Sequence, residues 1–144
     1  YGILGMAKAL ELSYENMENN QHQLRAIRSY FIQQLNKNFD GIEFNGDYEG
    51  HYLPKVLSVS FPPSPKNEVL MFSLDIMGVS SSGGSACSSG VESRSHVLNA
   101  INFEEDRVAV RFSFSTFNTN EEVDYVIGKL KTIIPEKKVV LETV

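Results

Sequence analysis

Apolar residues recur at three- and four-residue steps from Met6 to Phe39: Leu10, Tyr14 and Met17, then Leu24, Ile27, Phe31 and Leu35. That period predicts helix. Glu15, Asn19, Asn20, Gln21 and Arg25 form its wet face. The middle, Glu18 to Gln23, is almost wholly polar and has no apolar side to bury. Two readings stay open there: one surface helix with a weak middle, or a helix that bends or passes from one body into another. Asp40-Gly41 ends the pattern, with glycine suited to a left-handed cap. Ile42 and Phe44 then alternate with Glu43 in a short strand, and 45–54 is a loop rich in turn residues.

Between Leu53 and Phe61 the alternation is cleaner. Leu57, Val59 and Phe61 point one way, and Val56, Ser58 and Ser60 point the other. Pro62-Pro63 stops this strand. Ser64 to Asn67 opens a helix with Leu70, Leu74 and Met77, closed by Gly78. Val79-Ser80-Ser81 is long enough for a short strand. Ser93 or Ser95 can cap a further helix with Val97, Leu98 and Ile101. The clearest strand follows: Val108, Val110, Phe112 and Phe114 share one face, and Ala109, Arg111 and Ser113 share the other. Thr119-Asn120-Glu121-Glu122 reads as a capping box. It starts a helix with Val123, Ile127, Leu130 and Ile134 that stops at Pro135. Residues 137–144 read equally as a tail or an added edge strand.

The sum is an α+β fold in two layers: about four short, mainly antiparallel strands with helices on one face. The other face of the sheet carries Ser58, Ser60, Ala109, Arg111 and Ser113, too small and polar for a core. It must border water, a cleft or a missing neighbour.

Composition narrows the function. The 144 residues are 42% hydrophobic, enough for one domain with a real core. The net charge is −5 with basic residues scattered, which argues against nucleic acid as a partner. No apolar run approaches the ~20 residues that span a bilayer, so no membrane is expected. The single cysteine forms no internal disulfide, which predicts a reducing, cytoplasmic setting. No signal peptide is visible, and a start without methionine predicts a piece of something longer.

That cysteine, Cys87, lies in Gly83-Gly84-Ser85-Ala86-Cys87-Ser88-Ser89-Gly90. From Val79 to Ser95 only Val79, Ala86 and Val91 are fit for a core. The neighbours are those of a pliable exposed loop, whereas a buried cysteine keeps apolar company. The composition fits a thiol carried on a flexible arm, and it fits a plain serine–glycine linker too. A thiol is only a few per cent thiolate at neutral pH yet already very nucleophilic. His96, nine residues on, is the nearest candidate base, though a solvent-facing role is the commoner one; His22 and His51 have no better claim. No metal-ligand cluster stands out, and no lysine follows the glycines as a P-loop requires. Arg111 is the second candidate, a planar fork on the polar sheet face that matches a carboxylate of a ligand or of the protein.

Several motifs resemble one family. Leu74-Asp75-Ile76-Met77-Gly78, the stretch from Ser82 through Cys87 to Gly90, Ser95-His96-Val97-Leu98-Asn99-Ala100, Val110-Arg111-Phe112-Ser113 and Asn118 to Tyr125 are similar to those of pyridoxal-phosphate cysteine desulfurases with a long catalytic loop. The segment Leu53 to Phe61 fits the same family, within the class V aminotransferase superfamily. The likeness runs from Tyr1 to about Ile134. One departure is the Ser82-Gly83 pair, where the family usually has Ser-Ser.

The resemblance implies the small domain of the type I pyridoxal-phosphate transferase fold. Residues 1–22 would end the large domain and link the two, 23–135 would be the C-terminal small domain, and 136–144 a tail. It implies that Cys87 takes sulfur from L-cysteine as a persulfide while alanine leaves, and that Arg111 holds the substrate carboxylate. Sulfur would pass to an acceptor such as an iron–sulfur scaffold protein, or serve tRNA thiolation. The full-length enzyme would be a homodimer holding pyridoxal phosphate in a large domain. No stretch here resembles the cofactor-binding part, so this chain alone is expected to bind no cofactor and to be inactive. The alternatives are a non-catalytic sulfur carrier or interaction module, a thiol redox sensor, and a selenocysteine lyase.

Overall fold

The computed structural model describes residues 1–66, 69–83, 96–101, 103–104 and 106–135. The long apolar period at the start becomes two helices, α1 (Gly2–Glu15) and α2 (Met17–Asn38). They part at Asn16, just before the polar turns. The two differ in what they bury. No residue of α1 is buried, and Ile3, Leu4, Met6 and Leu10 stand exposed. The second half of α2 buries Ile27, Arg28, Phe31 and Leu35. So the break separates a helix with no packing partner among the described residues from one that builds the core.

Three strands follow the predicted alternation: β1 (Glu43–Phe44), β2 (Val56–Phe61) and β3 (Val108–Ser113). They form an antiparallel sheet in the order β1-β2-β3. The register sets Leu57 opposite Phe112 and Val59 opposite Val110, all buried, and Ser58 opposite Arg111. One face is therefore hydrocarbon and the other small and polar. The expected fourth strand reaches only a single antiparallel bridge, Ser82 to Arg111, on the open edge of β3.

Helices α3 (Leu70–Ile76) and α5 (Asn120–Ile133) cover the apolar face together with α2; α4 (His96–Ala100) is a short surface turn with no buried residue. Leu70 and Leu74 of α3, and Val123, Ile127 and Leu130 of α5, complete the core. At its centre Phe31 meets the rings of Phe112 and Phe114 edge-on, with centroids 5.0 and 5.7 Å away. Such aromatic contacts add to burial rather than replace it. The Tyr30 hydroxyl donates to Asp124 at 2.8 Å, pinning α2 to α5 across their rim.

The caps were legible. Thr119 Oγ1 accepts the Glu122 amide while the Glu122 carboxylate accepts the Thr119 amide, the reciprocal pair that opens α5. After α3, Gly78 takes φ +77°. There the amide of Gly78 bonds the carbonyl of Asp75 and that of Val79 bonds Leu74, the glycine stop expected from sequence. This stop turns the chain toward β3 and so delivers Ser80, Ser81 and Ser82 to the sheet edge.

Candidate functional site

The polar sheet face is where β3 places its alternate residues. Arg107, Ala109, Arg111 and Ser113 share one parity along the chain, and two of these four are arginines with opposite fates. Arg107 is engaged throughout. Its Nε donates to Ser60 Oγ at 2.6 Å, and its Nη2 donates to the Ser60 carbonyl at 3.0 Å and to the Gly41 carbonyl. Nη1 lies 3.4 Å from the Glu43 carboxylate, and the Arg107 side chain is only 7% exposed. Ser60 is consequently buried. Part of the polar face is thus roofed by a guanidinium rather than by water.

Arg111, four residues on, is exposed, and no carboxylate among the described residues pairs with it. One contact orients it: its Nε donates to Ser82 Oγ at 3.0 Å. Ser82 also exchanges both main-chain bonds with Arg111, at 2.7 and 3.1 Å. An Arg held at Nε keeps its outer Nη pair open, the geometry that takes a carboxylate with two parallel bonds. The next residue, Gly83, lies under Met71 of α3. A Cβ built there would stand 2.5 Å from Met71 Sδ. The chain is thereby held to the strand at Ser82, with Met71 of α3 beside the next residue.

Cys87 lies outside the described residues, as do Ser93 and Ser95. Its place in the chain is five residues beyond Ser82. His96 opens α4 and is exposed, as are His22 and His51. Among the described residues no three His, Cys, Asp or Glu gather as a metal site would need. The loop 45–54 has a structural explanation of its own: Asp47 accepts the amides of Gly50 and His51 at 2.8 and 2.7 Å. Those bonds hold the Asp47 carboxyl below its ordinary range. Tyr52 covers Arg28, whose guanidinium carbon sits 3.9 Å from the ring centre and whose Nη2 donates to the Tyr48 carbonyl. Arg28 is buried, and desolvation pushes its pKa down.

A cleft of about 710 Å³ opens on the core side of the sheet, between Val79, Phe31, Phe112 and the start of α5. Glu121 and Glu122 stand at its mouth. Hydrogen bonds at the helix start hold both below the ordinary glutamate range, so they stay anionic and repel a phosphate. Every described lysine lies at the surface, exposed or half-exposed. The described residues therefore do not fit pyridoxal phosphate. Among them, too, no helix is long and apolar enough to cross a membrane.

The site is thus a two-layer α+β unit in which Arg111 is oriented by Ser82 and pairs with no carboxylate among the described residues. The chain belongs to the aminotransferase class V family, whose model matches residues 1–126. It is similar to a protein named cysteine desulfurase IscS from Dictyoglomus turgidum, with 36% identity over 95% of this chain and 36% of that protein. A cysteine desulfurase of Rattus norvegicus is 35% identical over 88% of this chain and 28% of its own length. A solved structure described as a NifS-like protein superposes with a TM-score of 0.74 and 30% identity, covering 92% of this chain and 32% of that one. The chain thus spans about a third of the length of the relatives it matches.

Sequence reasoning missed Arg107 and the Ser82 contact. Parity would have found the first: Arg107 precedes the strand in step with Arg111. The second is a pairing between segments 29 residues apart, which no local pattern encodes.

Proposed function

We propose that this chain is the small domain of a cysteine desulfurase, with residues 1–22 linking it to a larger domain and 136–144 a tail. In this reading Arg111 binds the carboxylate of L-cysteine and Cys87 takes the sulfur. A sulfur–sulfur bond forms as the carbon–sulfur bond of the substrate breaks. The enzyme thiol becomes a persulfide, and the carbon that loses sulfur gains a proton and leaves as alanine. No external oxidant or reductant enters this balance. Pyridoxal phosphate makes that carbon–sulfur bond breakable and is held by protein outside this chain, in a homodimeric, cytoplasmic enzyme. The persulfide then passes its sulfur to an acceptor protein, such as an iron–sulfur scaffold.

The observation that carries the reading is the pairing of Ser82 with Arg111 through main chain and side chain together. It roots the cysteine-bearing segment against an arginine whose outer edge is open. Four extended residues beyond Gly83 reach ~14 Å, so the thiol is tethered within range of any carboxylate that Arg111 holds.

The test uses the full-length enzyme. Cys87→Ala is expected to abolish persulfide formation and sulfur transfer while substrate still binds. Persulfide formed at wild-type rate by that variant would overturn the reading. The 144-residue chain alone is expected to release no alanine from L-cysteine and to show no visible absorbance from bound cofactor; either signal would refute the division of labour.

A further inference from the structure

We infer that Ser82 is a positioning residue for substrate recognition, acting through Arg111. The inference rests on the desulfurase reading above. Three bonds join Ser82 to this one arginine: two between main chains and one from Arg111 Nε to Ser82 Oγ at 3.0 Å. The main-chain pair fixes where the hydroxyl stands. The hydroxyl then fixes the guanidinium plane, and with it the direction of the two Nη groups.

An exposed arginine with no such contact samples many rotamers and loses that freedom when a carboxylate binds, a cost of ~1 kcal/mol for a long side chain. Here the cost is met before substrate arrives. Beyond Ser82, Met71 Sδ occupies the space over Gly83 that a side chain would enter. The glycine that departs from the family's usual serine therefore has a local partner in Met71.

Positioning of this kind acts on binding and not on the carbon–sulfur bond, so its signature is a split between KM and kcat. In the full-length enzyme with its cofactor, Ser82→Ala is expected to raise KM for L-cysteine about 5-fold and leave kcat within about 2-fold. Ser82→Thr keeps the oxygen on an extended backbone that suits β-branching, and restores KM to within about 2-fold of wild type. Inhibition by L-alanine, which carries the carboxylate, should weaken in parallel with KM in Ser82→Ala. Inhibition by cysteamine, which lacks it, should not change. Unchanged KM in Ser82→Ala, a loss confined to kcat, or an equal loss for cysteamine would each overturn the inference while the desulfurase reading stands. A wild-type full-length protein that releases no alanine from L-cysteine would overturn both.

Discussion

Arg107 and Arg111 show how one residue type serves two ends on one strand face. The guanidinium of Arg107 spends its donors on Ser60, Gly41 and Glu43, and it closes the seam between β1, β2 and the start of β3. Removing it would leave the buried Ser60 hydroxyl and carbonyl facing a void. An unsatisfied buried polar group costs ~1–3 kcal/mol, whereas an exposed ion pair is worth ~0–1 kcal/mol. Glu43 is 62% exposed, so the hydrogen bonds outweigh the charge pair. Arg107→Ala is therefore expected to lose about 2–4 kcal/mol in urea unfolding, and Glu43→Ala under about 1 kcal/mol. Equal losses from the two would mean that the ion pair, and not the seam, is what matters. Arg111, with one side-chain hydrogen bond among the described residues, should tolerate alanine with little loss of stability in the same measurement.

At the scale of elements, the two ends of the chain show how stability is distributed. α5 begins in a closed capping box, and Thr119→Ala should cost ~1 kcal/mol. Its partner Glu122 adds a pH dependence. The bond from Asn118, and then that from the Thr119 amide, hold the Glu122 carboxyl below its ordinary value. A folded-state pKa lowered in this way contributes stability above the unfolded value, which is lost as pH falls through the folded one. The stability gap between wild type and Glu122→Gln should thus be full at pH 7, narrow below ~4.3 and close further into acid. A gap constant from pH 7 to pH 3 would contradict the bonded carboxylate. α1 is the contrast, 14 residues with nothing buried. An isolated helix of that length is marginal in water. Its amides should exchange with solvent far faster than those of Phe31 and Leu35 in α2, as hydrogen exchange by NMR would read directly.

For the whole molecule, every core residue among the described ones lies from Ile27 to Ile134, and the sequence showed most of this because burial is periodic. Alternation in β2 and β3 and the glycine stop at Gly78 are local signals, and each stands where the pattern places it. The polar middle of the first helical stretch left two readings open, and the break falls just before it, at Asn16. The fourth strand shrank to a bridge because serines at 80–82 bring hydrogen bonds without an apolar face to bury. Arg111 was legible as a candidate by parity and by family motif. Its orientation by Ser82 was not, since it depends on tertiary approach. The same segregation sets the last expectation. Phe31 is 2% exposed and meets both Phe112 and Phe114, while Leu10 is 58% exposed and touches no core. Large-to-small changes at buried aromatics cost ~3–5 kcal/mol. In a domain of this size each kcal/mol moves the midpoint by about 3–4 °C. Phe31→Ala should therefore lower Tm by at least about 9 °C, and Leu10→Ala should leave it within about 1 °C. A comparable drop for both would show that α1 packs on the core in solution.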